Sequence, residues 1–213
     1  LFYLLEKLRY YDDYVKEERY VGDTIFTHFA ERFCQIHGKT WGIIGLGNIG
    51  RRVADIAKAF GADVIYYSTS GSNTQDGYTR TDFDTLLATS DIISVHAPLT
   101  PNTEHLIDAK ALSKMKPSAI FLNLGRGPIV VEEDLADALE SGQIAAAGLD
   151  VLCTEPMCAT NPLLRIKDSK KATDHTAYCL GERGGAHQSH EHYIRTDSRL
   201  EERDRGDVAS PLF

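Results

Sequence analysis

Trp41-Gly42-Ile43-Ile44-Gly45-Leu46-Gly47-Asn48-Ile49-Gly50 runs an apolar stretch straight into a glycine-rich turn, and helical spacing follows from Ile49 to Phe60. In a strand–turn–helix unit each glycine has its own task. Gly45 permits the tight turn, Gly47 lets backbone approach a diphosphate, and Gly50 allows the helix to lie close on the sheet. A helix starting at Asn48 or Ile49 aims free N–H groups and the positive end of its dipole at that diphosphate. The spacing alone is weak evidence, but here the strand, the helix and a further strand are all in place.

Outward from this unit the pattern repeats. Apolar runs at Trp41–Leu46, Val64–Tyr67, Ile92–Val95, Ala119–Leu124 and Ile144–Val151 read as strands. Between them, Ile49–Phe60, Phe83–Ala88, Ala109–Met115 and Glu132–Glu140 place apolar residues at helical spacing. Gly61 and Gly142 stand just past helix ends, where a left-handed cap is wanted. Alternating strands and helices imply right-handed crossovers, hence an α/β fold with a doubly wound parallel sheet of Rossmann type. Near-continuous apolar strands mean a sheet covered on both faces. Residues 1–38 read as an arm, an amphipathic helix (LFYLLEKLRYYDDYVKEERY) and then an aromatic stretch from Tyr20 to Phe33. Residues 39–156 form the dinucleotide-binding domain, and 157–213 a loop and an irregular, polar, disordered tail.

The chain has 213 residues, 31 acidic against 23 basic, and a net charge of −8. That balance argues against a general nucleic-acid partner, which needs a basic footprint. No stretch approaches the ~20 apolar residues that span a bilayer. Cys34, Cys153, Cys158 and Cys179 lack paired metal-ligand spacing, so no metal is expected and the thiols read as reduced, in a cytoplasmic protein. The cluster His187, His190 and His192 has no apolar frame to fix a ligand geometry. The chain begins with Leu1, inside a helical pattern, which reads as an incomplete chain.

The fingerprint calls for an acidic residue ~20 positions on, to bond the ribose 2′-hydroxyl. Ser68 stands 18 residues past Gly50, within Tyr66-Tyr67-Ser68-Thr69-Ser70. Its hydroxyl removes the charge that repels a 2′-phosphate, while no Arg or Lys lies beside it in sequence to attract one. NAD and NADP both stay open.

GKTWGIIGLGNIG, DIISVHAPLTPNTEHLI and FLNLGRGPIVVEEDLADALESGQIAAAGLDV followed by EP, in that order, resemble the nucleotide-binding domain of the D-isomer-specific 2-hydroxyacid dehydrogenases. The resemblance covers residues 39 to 156. It implies hydride transfer between a nicotinamide cofactor, NAD or NADP, and a small 2-oxo or 2-hydroxy acid such as hydroxypyruvate or glyoxylate. It further implies that Arg126 grips the substrate carboxylate and polarises the carbonyl, a task suited to a planar two-pronged donor. Glu155 matches the glutamate that backs the catalytic histidine, whose protonated form it favours. Asp150 matches the residue that holds the nicotinamide amide. Ala97 and Pro98 match the turn lining the adenosine side, Leu124 and Gly125 the nicotinamide side, and Asn48 and Ile49 the backbone contacts to the diphosphate. Taken without the resemblance, Arg126 reads as a surface arginine, Glu155 as a loop carboxylate and Asp150 as a strand end. His96 and His105 read as structural.

The resemblance also implies a homodimer built from the arm and the nucleotide domain, with most of the substrate domain lying before Leu1. Two further readings stand beside it: a noncatalytic NAD(H)-binding or sensing module, and a formate dehydrogenase-like enzyme, whose kind carries glutamine where Glu155 stands.

The family's catalytic histidine lies in a TPHIA-type segment soon after the glutamate. Here Thr173-Asp174-His175-Thr176-Ala177-Tyr178 stands at that point, with Asp174 in place of the proline. Thr173 through Gly185 can be encoded so that dropping one base yields LITPHIAWASVEA, and continuing past Arg195 yields RTRVMNIIYEQIRDW with helical spacing. The segment from about residue 172 is therefore read as out of frame, which makes His175 accidental. A genuine divergent tail is the alternative.

Overall fold

The computed structural model describes residues 1–28, 30–31, 34–72, 75–168 and 170–174, which belong to a compact unit, Leu1–Thr176. His175, Cys179, the His187–His190–His192 group and the shifted-frame reading past Asp174 lie outside the described residues. Strands β1 (Thr40–Ile44), β2 (Asp63–Tyr67), β3 (Thr79–Arg80), β4 (Ile92–Val95), β5 (Ile120–Asn123), β6 (Ala146–Leu149) and β7 (Ala172–Asp174) form a single sheet. Its order is β3-β2-β1-β4-β5-β6-β7, with every pair parallel. The order reverses between β1 and β4, and an open α/β sheet offers its binding crevice at such a switch point.

Helices α3 (Asn48–Ala59), α4 (Phe83–Thr89), α5 (Ala109–Ser113) and α6 (Glu132–Ser141) cover the sheet. α3 buries Gly50, Ala54 and Ala57, small residues at helical spacing that let its axis come close to the strands. α4 and α5 start at Asp82 and Asp108, whose carboxylates accept the Thr85 and Ala111 amides. Gly61 (φ +81°) and Gly142 (φ +74°) stand in the left-handed conformation expected just past α3 and α6. β4, β5 and β6 are buried at every position, because successive side chains enter two different cores. Ile44, Ile93, Val95 and Phe121 pack in one with Leu112 and Leu139. Trp41, Ile43, Ile92 and Ile120 pack in the other with Leu4, Leu5 and Ala54.

The structure corrects the reading of the chain's elements in two places. The single amphipathic helix of the arm is two helices, α1 (Phe2–Leu5) and α2 (Leu8–Lys16), split where Lys7 takes a left-handed φ of +52°. α1 turns Leu4 and Leu5 into the core, whereas α2 buries nothing. Its Tyr14 stacks on His28 at 3.9 Å between ring centroids, and the Arg19 guanidinium sits 4.9 Å over Tyr14. The second correction concerns the start of the tail. Ala172–Asp174 form β7, in register with Ala147–Leu149, so the sheet continues three residues into the stretch read as irregular and out of frame. Three residues are too few to show a period, and β3, with two, is invisible in the sequence for the same reason.

Candidate dinucleotide and substrate site

Parallel register brings the carboxyl ends of the strands level: Ile44 pairs with both Tyr67 and Val95, Val95 with Asn123, and Asn123 with Leu149. The ladder runs past the strand ends. Gly45 N–H donates to the Tyr67 carbonyl (3.0 Å), His96 to Ile44 (2.8 Å), Leu124 to Val95 (3.2 Å) and Asp150 to Asn123 (3.0 Å). The residues singled out as site residues thus lie on the loops that leave this one edge or, for Asn48, Ile49 and Gly50, in the first turn of α3.

At the glycine turn, Gly45 has φ +92°, and a Cβ there would press to 2.9 Å from the Ala97 amide nitrogen. A Cβ on Gly50 would strike the Gly45 carbonyl oxygen, which fits the close helix packing expected of it. A Cβ on Gly47, the exposed N-cap of α3, would meet nothing within 4 Å. The turn therefore presents open space in front of the first amides of a 12-residue helix, the cradle a diphosphate needs. Asn48 and Ile49 begin that helix and are exposed. Ile49, Leu99 and Leu124 are large apolar side chains left exposed around this crevice, where flat rings of a ligand would cover them. Pro98 is exposed and Ala97 buried.

Beyond the crevice, Gly125 lies against the Ala97 carbonyl, whose oxygen would be 2.8 Å from any Cβ added there, and a Cβ on Gly127 would run into the Leu152 carbonyl. Asn123, 1% exposed, shapes the loop between them: its Nδ2 donates to the Arg126 carbonyl (3.0 Å) and its Oδ1 accepts from Gly125 N–H (3.2 Å). Sequence reasoning assigned Asn123 no task; a buried amide inside NLGRG was the available signal. Arg126 is exposed and folds one guanidinium N–H back onto the Gly125 carbonyl at 2.8 Å. Glu155 accepts the Leu152 amide on Oε1 at 2.9 Å. Both carboxylate and guanidinium line one cavity of about 370 Å3, together with Leu99, Val151 and Cys153. Burial, and Glu132 next to it, push the Cys153 thiol up to about 11, so the sulfur is a neutral wall of this cavity. Among the described residues no histidine lines it. Asp150 is exposed at the end of β6, and β7 delivers the chain to the same edge at Asp174.

His96 proves to be internally bonded. Its Nε2 lies 3.1 Å from the Ser94 hydroxyl, which accepts the Trp41 indole N–H at 2.9 Å. Burial lowers its pKa to about 4, so the ring is neutral near pH 7; its Nδ1 is buried without a partner among the described residues.

At the far side of the edge, Ser68 is buried, with its Oγ 3.3 Å from that of Ser70. Here the sequence reading needs a correction. It found no cation near Ser68, but the parallel pairing of Tyr66 with Arg80 brings a guanidinium into the same cavity. The 11 residues between Ser68 and Arg80 hid this.

Such an edge defines a dinucleotide-binding domain, with an arginine and a carboxylate lining one cavity on it. The profile of the D-isomer specific 2-hydroxyacid dehydrogenase NAD-binding domain matches residues 1–177, and the chain belongs to that family. Its cofactor is NAD or NADP. Hydroxypyruvate reductase of Blautia hydrogenotrophica is 44% identical over 136 residues, 63% of this chain and 42% of that protein. The NAD-complexed D-isomer specific 2-hydroxyacid dehydrogenase of Lactobacillus delbrueckii ssp. bulgaricus superposes with a TM-score of 0.68 at 33% identity, covering 81% of this chain and 55% of that one. A probable 2-hydroxyacid dehydrogenase of Rhizobium etli, in complex with NADP, HEPES and L(+)-tartaric acid, gives 0.68 at 25% identity over 81% and 53%. The chain thus spans about half or less of the length of these relatives.

Proposed function

We propose that the protein of which this chain forms the nucleotide domain reduces a small 2-oxo acid, of the hydroxypyruvate or glyoxylate kind, to the 2-hydroxy acid. The observation that carries this reading is the joint placement of Arg126 and Glu155 in one cavity beside the glycine cradle. The bound nicotinamide supplies or accepts the hydride at substrate C2. Arg126, released from the Gly125 carbonyl, meets the substrate carboxylate with two parallel N–H donors. Glu155, anchored through Oε1, keeps Oε2 for the imidazole that moves a proton at the carbonyl oxygen. Asp150 and the Leu124–Gly125 turn hold the nicotinamide end, and Asn48, Ile49 and the three glycines the diphosphate.

The test is oxidation of NADH or NADPH by hydroxypyruvate and glyoxylate, using the protein expressed from the resequenced gene. Turnover is expected, and Arg126→Met is expected to lower kcat/KM by at least a hundredfold. Dinucleotide binding with no turnover of any 2-oxo acid would instead establish the binding or sensing module, a reading favoured by the absence of histidine among the described residues of the cavity. Resequencing also tests the frame: a single-base slip near Lys171 restores TPHIA and its histidine, and an intact frame removes the proton carrier.

The same proposal includes a cytoplasmic homodimer. Val21, Ile25 and Phe26 of the arm are exposed, Phe26 at 90%, as expected of a face that a second copy covers. Sedimentation giving a clean monomer at micromolar concentration would overturn the dimer.

A further inference from the structure

The cavity at the carboxyl end of β2 holds about 880 Å3 and is lined by Ser68, Thr69, Ser70, Gly71, Arg80 and Asp82 among others. Three hydroxyls run along its loop, with Ser68 Oγ 3.3 Å from Ser70 Oγ and Ser70 Oγ 3.3 Å from Ser72 Oγ. The Arg80 guanidinium reaches across from β3 and donates to the Gly71 carbonyl at 2.7 Å. That bond pins the fork beside the hydroxyls and occupies one of its five N–H donors. In a doubly wound sheet, the end of the second strand meets the adenosine ribose; a carboxylate there accepts the 2′-hydroxyl and repels a phosphate. Ser68 is no carboxylate. The cavity's other charge, Asp82, is committed to α4. Its Oδ1 accepts Thr85 N–H at 2.9 Å and its Oδ2 accepts the Thr85 hydroxyl at 2.7 Å. The helix N-terminus also offsets part of that negative charge. Serine and threonine hydroxyls, exposed at Ser70, together with a positioned arginine suit a phosphate dianion far better than a neutral hydroxyl.

We propose that this cavity binds the 2′-phosphate of an adenosine 2′-phosphate group, with Arg80 as its counter-charge, so that the chain prefers NADPH to NADH. The proposal rests on the dinucleotide-site reading above and adds the one group that distinguishes the two cofactors.

The test is equilibrium titration of the chain with NADPH and NADH, read by nicotinamide fluorescence, with 2′,5′-ADP and 5′-ADP as competitors. NADPH is expected to bind about tenfold tighter, and 2′,5′-ADP to compete better than 5′-ADP by a similar factor. The preference shrinks as salt rises. Arg80→Met abolishes it, with an unchanged urea-unfolding midpoint showing that the variant is folded, and Arg80→Lys retains part of it. Equal or tighter binding of NADH, or a preference that survives Arg80→Met, overturns the 2′-phosphate site alone. Binding of neither dinucleotide overturns the dinucleotide reading and this proposal with it.

Discussion

The two ends of the carboxyl edge are built differently. At the β5–β6 end, backbone lies on backbone: Gly125 against Ala97, Gly127 against Leu152, with the buried Asn123 amide closing the loop between. At the β2–β3 end, a wide cavity is bounded by hydroxyls and one arginine that arrives on a neighbouring strand. At the first end Gly125 and Gly127 leave no room for a Cβ; at the second the Ser70 and Arg80 side chains are exposed on an open cavity. A constellation that must hold a reacting carbonyl in place gains from the first construction. One that only sorts a phosphate from a hydroxyl works with the second.

The most severe way to break that contrast is Gly127→Ala. The added methyl collides with the Leu152 carbonyl, which is backbone and cannot swing aside. A loss of about 3 kcal/mol or outright failure to fold is expected. Urea unfolding that shows a stable Gly127→Ala chain would mean the loop yields and makes room for a Cβ. Asn123→Ala follows. It leaves the Gly125 amide and the Arg126 carbonyl without their partner at a position 1% exposed, at a cost of about 2 kcal/mol. Dinucleotide titration of the same variant should show weaker binding at the nicotinamide end; unchanged stability would place solvent, not Asn123, as the loop's support.

His96, between the two ends, gives a smaller, pH-dependent effect. Its folded pKa is depressed to about 4 from an ordinary 6.5 by burial. Between those values the unfolded chain binds a proton that the folded chain refuses, so stability falls as pH drops from about 6.5 toward 4. Above about 6.5 the ring is neutral in both states and contributes no pH dependence. At about 1.4 kcal/mol per unit the loss has a ceiling near 3 kcal/mol, and partial exposure reduces it to roughly 1–2 kcal/mol. The carboxyls of Asp82 and Asp91 also lie below their usual range and add to acid lability, so the comparison needed is wild type against His96→Gln, unfolded in urea at pH 7 and pH 4.5. For Asp91, burial works to raise the carboxyl, and the Thr40 amide and Lys116 outweigh it. An identical pH response in both proteins would show that His96 takes up its proton without resistance.

The same contrast explains what could be read from the sequence. Strands such as Ile92–Val95 and Ile120–Asn123 were legible because each position is buried, and a run of apolar residues is a local signal. The glycine cradle was legible because its spacing between a strand and a helix is local, and the NLGRG loop through its resemblance to the family. Arg80 was not, since its role follows from the pairing of a two-residue strand, which leaves no period behind. Nor was the break at Lys7, where propensity favours continuing the helix and burial of Leu4 and Leu5 decides otherwise. Tertiary contact, rather than local preference, set those positions.

The finest probe of the comparison is Asp82→Asn at the β2–β3 end. Asparagine caps a helix nearly as well as aspartate does, so its amide oxygen still accepts Thr85 N–H and the unfolding midpoint falls only slightly. What changes is one negative charge on the wall of the cavity that holds Arg80. NADPH affinity should rise about threefold at low salt, and the gain should fade within the screening range of 0.15 M salt. NADH, with no phosphate there, should bind as before. A fall in NADH affinity would instead identify the Asp82 carboxylate as acceptor of the ribose 2′-hydroxyl, drawn away from α4. In that event the β2–β3 end is a built site for the unphosphorylated cofactor, and the contrast between a close-packed end and an open end no longer describes this edge.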